Sequence, residues 1–368
     1  MAFPKAANYG NLPNGAFSPT IYSRRVQKAF RKSSVVDGCT NTDYFGEISN
    51  MGDSVRIIKE PDITVSDYAR GTQLATQTIT DKDFSLVVDQ ASYFQFAVDD
   101  IEANHSHVNF QELATDRAAY KLKDEYDANV LGYMSGWVNN SGTWTPNTTV
   151  HGTKANESAG ADELLDANKL RITNFGGSEL AGSADGSSLS GANSGNDDFT
   201  SIPIKAGGGA GPITSPLALL NRIARLMDQA NVDQEGRWFI ADPVFYEILM
   251  DEDSKFINSD FMSGNGVDTL RNGKLSSAKV RGFRIHKSNN LPYKNNGPAN
   301  ISDTGSEHSY GIVVAGHDSA VATATQINKT ESFRSPDTFA DVVRGMLMYG
   351  RKILRPETIF TANYNSAA

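Results

Sequence analysis

Apolar and polar residues alternate along two stretches between positions 57 and 98, and this period of two predicts β-strands. The apolar members are Ile63 and Val65 in the first stretch, Phe84, Leu86 and Val88 in the second, and Phe94, Phe96 and Val98 after a break at DQAS. Between the stretches, Arg70-Gly71 and the polar run to Gln77 predict a turn. The pattern therefore predicts a long β-ribbon with a polar tip.

A ribbon of this kind needs a partner, because an isolated hairpin is marginally stable in water. The first 20 residues raise the same question, since they are rich in Gly, Pro and Asn and predict an extended arm. Two extended appendages on one compact body indicate exchange between neighbouring copies in a repeating, heterologous contact.

The period changes to that of a helix after Asn109, which with Glu112 forms a variant of the capping box. A stripe of apolar residues at spacing i, i+4 follows, and most charged residues fall off it: Phe110, Ala114, Ala118, Leu122, Tyr126, Val130, Met134 and Trp137. A helix over 110–136 would be about 40 Å long.

The remainder divides into an insertion and an α/β body. Residues 138–214 are rich in Gly, Ser and Asn and predict mobile outer loops. Ser215-Pro216 and Asp242-Pro243 each predict a helix start, with GRWFIADP as a buried strand between the two helices. The chain ends in a segment that predicts strands of a sheet.

Composition narrows the classes of function. The 368 residues are 39% hydrophobic and 21% charged, which is typical of a globular protein, and the net charge of -9 argues against dedicated nucleic-acid binding. The basic cluster within Tyr22–Lys32 is interpreted as a solvated helix face. The single cysteine, Cys39, excludes an internal disulfide and a multi-cysteine zinc site. Without an apolar leader or spanning run, we expect a soluble intracellular protein with no membrane partner.

Candidate chemistry is weak along the whole chain. The glycine-rich AGGGAGPITSP precedes a helix but lacks the P-loop and dinucleotide-binding patterns. His105 and His107 have no nearby third ligand, and no acid pair has the context of an acid/base couple. We therefore predict no catalytic residue, no metal and no cofactor. An α/β enzyme without a recognisable motif stays open as an alternative.

Five stretches, in this order of elements, resemble the major capsid protein of tailed bacteriophages, which has the HK-ninety-seven-type capsid fold. They are NTDYFGEISNMGDSVRI, SHVNFQELATDRAAYKLKD, GRWFIADPVFYEILM, RGFRIHKSNNLP and TESFRSPDTFADVVRGMLMYGRKILRPE. The resemblance implies an α+β fold with an arm, an extended ribbon (the E-loop), a long spine helix, and peripheral and axial domains. The implied ranges are 1–35 for the arm and short helix, 36–100 for the ribbon, 101–137 for the spine helix, 138–214 for the insertion, 215–325 for the axial domain and 326–368 for C-terminal strands of the peripheral domain.

The same resemblance implies a function. Hexamers and pentamers of the chain would close an icosahedral head around double-stranded DNA, without binding it sequence-specifically. The protein would reside in the virion, and in the host bacterial cytoplasm during assembly. A portal protein and a decoration protein are implied partners, and the short arm implies a separate scaffolding protein. An encapsulin-type nanocompartment shell is an alternative with the same fold.

Ribbon residues are the predicted subunit contacts. Arg70, Lys82 and Asp83 are candidates for ion pairs between subunits, and Tyr68 lies at the tip. Phe84 and Leu86 would bury apolar area on a neighbouring copy. A covalent crosslink through Lys82, known in prototype shells of the fold, is not expected here.

Overall fold

The computed structural model describes a part of the chain that includes both sheets of the body and three helices. The described residues are 32, 34–43, 54–59, 82–99, 110–140, 143–146, 164–165, 168–170, 172–175, 202–209, 213–251, 279–292, 310–336 and 340–366, together with 63, 65–67, 70, 71, 73 and 76–78. The short basic helix predicted within Tyr22–Lys32 and the capping box at Asn109 lie outside these residues, as do His105 and His107.

One half of the body is a three-stranded antiparallel sheet crossed by a long helix. The sheet consists of β3 (Gln90–Asp99), β11 (Val321–Arg334) and β12 (Ala340–Ile353), and the helix is α1 (Phe110–Ser135). The strands lie in the order β11-β12-β3, and β11 and β12 are each 14 residues long. Helix α1 has 26 residues, so the long helix predicted from the i, i+4 stripe is present.

The apolar stripe of α1 is buried over its C-terminal half. Tyr126, Val130, Met134 and Trp137 belong to the core, and Leu122 packs partly against it. The Tyr126 ring meets the ring of Tyr349 in β12 edge to face, with centroids 4.9 Å apart. The predicted stripe is therefore buried, and Leu131 and Tyr133, which lie off the stripe, belong to the same core, so this half of the helix is covered on more than one side.

The other half of the body is a six-stranded mixed sheet. Its strands are β6 (Lys169–Leu170), β7 (Ile202–Ile204), β8 (Arg237–Ala241), β9 (Arg284–Lys287), β10 (Tyr310–His317) and β13 (Phe360–Ser366). Five of them lie in the order β6-β13-β10-β8-β9, and β7 also pairs with β13. Helices α2 (Pro216–Gln229) and α3 (Pro243–Leu249) pack on it through Leu219, Ile223 and Phe245.

Both predicted helix caps in this half are confirmed. The side chain of Ser215 accepts a hydrogen bond from the Ala218 amide, and Asp242 accepts one from the Phe245 amide, each at 3.2 Å. The following prolines have no amide hydrogen to satisfy at the first helical position. The predicted buried strand is β8, in which every residue from Arg237 to Ala241 is buried.

Two small hairpins complete the described secondary structure. Strands β1 (Ser54–Lys59) and β2 (Lys82–Val87) pair antiparallel and form the ribbon. Strands β4 (Trp137–Asn140) and β5 (Thr143–Pro146) form a hairpin directly after α1.

Strand pairing divides the chain differently from the predicted ranges. Strand β3 lies within the range assigned to the ribbon, 36–100, but it pairs with β12. Strand β13 lies within the C-terminal range, yet it pairs with β10 of the other sheet. The predicted insertion contributes β6 and β7, which pair in parallel with β13. Alternation along one strand identifies its two faces and carries no information about its partner.

A buried acid lies in the second half, between α3 and β13. Asp242 is buried, and the Tyr364 hydroxyl donates a hydrogen bond to its carboxylate. Burial raises the pKa of Asp242 from 3.8 to about 6, while the hydrogen bonds from Tyr364 and Phe245 act in the opposite direction. Because its pKa is raised, the folded state binds a proton that the unfolded state has already lost between about pH 4 and pH 6.

This predicts a stability difference that depends on pH. The contribution of Asp242 to stability is greatest below about pH 4 and is lost as the pH rises through 6, by on the order of 3 kcal/mol. Asp242→Asn keeps a capping oxygen but does not titrate. Urea unfolding of both proteins from pH 4 to 7 should show the variant gaining on the wild type as pH rises. A difference independent of pH would contradict the prediction.

Candidate assembly surfaces

The root of the ribbon is buried within its own subunit. Leu86 and Val88 pack on Ala322 and Ala324 of β11, and Met348 lies partly buried against the same cluster. Both alanines are small, so the ribbon backbone comes close to the three-stranded sheet. The root of the ribbon therefore packs on a core of its own subunit.

A glycine sets the closest approach between ribbon and sheet. A Cβ atom built on Gly350 of β12 would lie 2.4 Å from the carbonyl oxygen of Val87 and 3.1 Å from the Cα of Val88. Both neighbours are backbone atoms, which cannot rotate out of the way as a flexible side chain can. Gly350 is therefore required for this placement of the ribbon.

The far end of the ribbon exposes apolar side chains. Ile63 is 62% exposed and Val65 is 92% exposed. The predicted turn is present at Arg70-Gly71, where Gly71 has a φ of 92°. Burying two such side chains would stabilise a contact by on the order of 1–3 kcal/mol each, so this end of the ribbon has the character of a contact surface.

The predicted contact residues fall into different environments. Arg70 is exposed at the turn. Leu86 is fully buried against its own subunit, which differs from the expectation that it packs on a neighbour. The backbone register of β2 places Lys82 opposite Lys59 and Phe84 opposite Ile57, with Asp83 between them. The side chains of Lys82, Asp83 and Phe84, and the whole of Tyr68, lie outside the described part.

A second exposed apolar surface covers one face of the three-stranded sheet. Tyr93 of β3 is 79% exposed, and the register places it directly opposite Met346, which is also exposed. Arg344 lies over the ring of the exposed Phe333, with its guanidinium carbon 5.0 Å from the ring centroid. We call this set, Tyr93, Phe333, Arg344 and Met346, the sheet face.

Charged residues border a groove in the sheet face. Arg344 donates to the Glu331 carboxylate at 2.9 Å, and Lys329 also pairs with Glu331. Hydrogen bonds from Lys329 and Arg344 lower the pKa of Glu331. The groove encloses about 360 Å³, with Tyr93 and Gly345 among its lining residues. The alternation in the sequence marked Phe94, Phe96 and Val98 as one apolar face, and it places Tyr93 on the opposite, exposed face.

The chain between Lys32 and Thr40, which we call the arm root, lies along one side of α1. Asp127 of α1 is fully buried and accepts hydrogen bonds from the Ser34 hydroxyl and from the Val35 and Val36 amides, at 2.9 to 3.1 Å. Its second oxygen accepts from the Asn290 amide at 2.9 Å. The helical pattern had grouped Asp127 with charged residues that fall off the apolar stripe, and it gave no signal of this burial.

The described titratable groups show no arrangement typical of an active site. Cys39 is fully buried, and burial raises the pKa of its thiol to about 12, so it is not a nucleophile at neutral pH. No group of three potential metal ligands occurs among the described residues. None of the helices in the described part is long and apolar enough to cross a membrane.

Solved structures from bacteriophages, capsids among them, share this architecture. A structure from Mycobacterium phage Che8 aligns over 95% of this chain and 97% of its own, with a TM-score of 0.66 and 22% identity. The capsid structure of the cyanophage P-SCSP1u covers 96% of this chain and 94% of its own, at a TM-score of 0.62 and 20% identity. The cyanophage Pam1 capsid asymmetric unit covers 100% and 99%, at 0.63 and 14% identity.

Sequence comparison adds nothing to these structural likenesses, because no family model and no curated protein matches the chain. At identities of 22% and below, the likenesses show the fold. The chain has the mixed α and β capsid fold of the HK-ninety-seven type, as its sequence predicted.

Gly350→Ala should destabilise the subunit by about 1–3 kcal/mol, because the added methyl group meets the ribbon backbone. Gly38→Ala is the matched control, since a Cβ atom there meets nothing within 4 Å. Urea unfolding measures both, and hydrogen exchange in 82–88 should rise in the first variant only. Equal stabilities for the two variants would show that the close approach at Val87 imposes no constraint.

Proposed function

We propose that this chain is the major capsid protein of a tailed bacteriophage, which assembles into a closed shell. The observation that carries the proposal is the likeness to solved phage structures, two of them capsids by name, over nearly the full length of both chains. The described residues also include exposed apolar side chains of the kind found at contact surfaces, on the ribbon and on the sheet face.

Two exposed apolar surfaces support assembly by repeated contacts. The far end of the ribbon exposes Ile63 and Val65, and the sheet face exposes Tyr93 and Met346. These surfaces differ from each other, so a contact that joins one of them to the other is heterologous. Contacts of this kind propagate into rings or open arrays, and rings of six and five copies are the capsomers that we propose.

The proposed partners follow from the same reading. The subunits would form hexamers and pentamers, with a separate scaffolding protein during assembly in the host cytoplasm, a portal at one vertex and a decoration protein on the outside. DNA would be enclosed without sequence-specific contacts, and the net charge of -9 argues against tight binding to its phosphates. Interface roles for Tyr68, Arg70, Lys82, Asp83 and Phe84 remain part of the proposal.

Two other functions are distinguishable from this one. An encapsulin-type shell has the same fold and would assemble around a cargo enzyme, without a portal. An α/β enzyme would work as a monomer or small oligomer with an enclosed catalytic pocket. The exposed ribbon end favours a shell over an enzyme, since a discrete enzyme has no use for an uncovered apolar appendage.

Replacing Tyr68–Gln77 with a short Gly-Ser turn should leave a folded subunit that no longer closes shells, because the proposed contact residues of the ribbon tip, Tyr68 and Arg70, are removed. Particle mass and electron microscopy of the high-mass fraction, with candidate scaffolding protein present, measure the result. The control changes exposed polar residues of the same segment, Gln73→Ala with Thr76→Ala, and should assemble normally. Normal shells from the shortened ribbon would contradict its proposed role.

Tyr93→Ser tests the sheet face. Because Tyr93 is mostly exposed in the subunit, its loss should change the free energy of unfolding by no more than about 0.5 kcal/mol. The yield of closed shells should nevertheless fall strongly, since aromatic residues dominate interface energies. Asn221→Ala, at an exposed position of α2, is the control. An unchanged shell yield for Tyr93→Ser would remove the sheet face from the assembly contacts.

A further inference from the structure

The arm root lies along a polar stripe of α1. Tyr120, Lys123, Asp124 and Asp127 occupy positions i, i+3, i+4 and i+7, which fall on one side of a helix. The Tyr120 hydroxyl accepts a hydrogen bond from the Lys32 amide at 2.7 Å. Asp127, seven residues further along, accepts from Ser34, Val35 and Val36.

A loop of the other half of the body joins the same cluster. Asn290 follows β9, is buried, and donates from its side-chain amide to Asp124 at 3.0 Å and to Asp127 at 2.9 Å. The Lys32 ammonium group donates to the side-chain oxygen Oδ1 of Asn290 at 2.7 Å and lies 3.9 Å from the Asp124 carboxylate. Three segments that are distant in sequence therefore meet at one carboxylate.

The burial of Asp127 makes these bonds interdependent. A buried carboxylate is costly unless hydrogen bonds satisfy both oxygens. Here one oxygen accepts three donors from the arm root and the other accepts the Asn290 amide. If the arm root moved away, a buried charge would lose most of its donors, so the arrangement strongly favours one position of the arm root.

Contacts beyond the carboxylate continue this attachment. Val36 and Cys39 are fully buried in the core that contains the C-terminal half of α1. Thr40 pairs with Thr323 of β11 at 3.1 Å, and Asn41 forms a parallel bridge with Ala322. The arm root is thus held by α1 on one side and by the three-stranded sheet further along.

We propose that Asp127 is the positioning residue that anchors the arm root and so fixes where the chain that precedes it joins the subunit. Asn290 ties the same carboxylate to the second half of the body, so the position of the arm root depends on how the two halves are arranged. The consequence for assembly rests on the proposed function, whereas the anchoring itself does not.

Cys39 provides a native probe of the anchor. It is the single cysteine of the chain and is fully buried directly after the short helix Val36–Gly38. Burial keeps its thiol protonated and inaccessible, so it reacts with a maleimide only after the arm root opens. The rate of labelling in the full-length chain therefore measures that opening.

Asp127→Asn is the principal variant. An amide cannot satisfy both sets of donors, because its NH₂ group must face either Asn290 or the donors of the arm root. The loss of one hydrogen bond to a charged acceptor corresponds to roughly tenfold in an opening equilibrium. We expect Cys39 labelling to accelerate by about tenfold or more, and in Ser34→Ala, which removes one donor, by a few-fold.

Lys123→Ala is the matched control, because Lys123 pairs with Asp37 of the same arm root at 2.9 Å but on the exposed surface. An exposed pair contributes little, so labelling should remain close to the wild-type rate. Hydrogen exchange in β8 (Arg237–Ala241) separates local opening from general destabilisation. It should stay unchanged in Asp127→Asn while exchange in 34–40 rises.

The outcomes decide between anchoring and general stability. Unchanged labelling in folded Asp127→Asn overturns the proposal, and so does a parallel rise of exchange in β8. If Asp127→Asn does not fold, Ser34→Ala decides alone, and wild-type labelling in that variant overturns the proposal. For assembly, we expect Asp127→Asn to give fewer closed shells than Lys123→Ala. A wild type that never assembles would refute the proposed function and leave the labelling result intact.

Discussion

The fold depends on one set of contacts, the burial of the C-terminal half of α1. A single core joins residues of this helix to the six-stranded sheet through Trp238 and Ile240, and to the three-stranded sheet through Tyr349 and Ile353. Val36 and Cys39 of the arm root enter the same core. Since the hydrophobic effect has no directional preference of its own, the polar contacts at Asp127 and the paired strands supply the specific geometry around it.

The ribbon illustrates how small residues direct a large element. Alanines at 322 and 324 and a glycine at 350 let the ribbon backbone approach the sheet, and Leu86 and Val88 fill the space above the alanines. Glycines elsewhere in the body make room for large side chains: the Phe94 ring packs against Gly345, and the Trp238 ring packs against Gly316. The close approach at Ala322, Ala324 and Gly350 holds the root of the ribbon on the sheet, whereas Ile63 and Val65 further along it are exposed.

The surfaces left exposed are modest and mixed in character. On the sheet face the apolar ring of Tyr93 lines the same groove as the charged Glu331 and Arg344, and on the ribbon Val65 is exposed. Contacts between such surfaces would be individually weak, and the proposed shell would repeat them over many copies. In such a shell, weak contacts would also let a wrongly placed subunit dissociate before closure, because the dissociation rate depends on contact energy.

The sequence by itself determined the types of the elements, a buried stripe of the main helix and the starts of two helices. The i, i+4 period predicted α1 and its buried stripe, and Ser215 and Asp242 predicted the N-terminal caps, because these signals act between residues close in the chain. Order and local strings also sufficed for the resemblance to the capsid fold.

Only the tertiary structure decided which strands pair and which polar residues are buried. Strand β3 looked like a continuation of the ribbon, but its partner, β12, lies some 250 residues further along the chain. In the sequence Asp127 is a charged residue off the apolar stripe, yet in the structure it is buried, and the arm root and Asn290 supply its hydrogen-bond donors. In both cases the deciding partner is distant in sequence, so no local pattern contains it, and the three-dimensional arrangement of the chain has to bring the groups together.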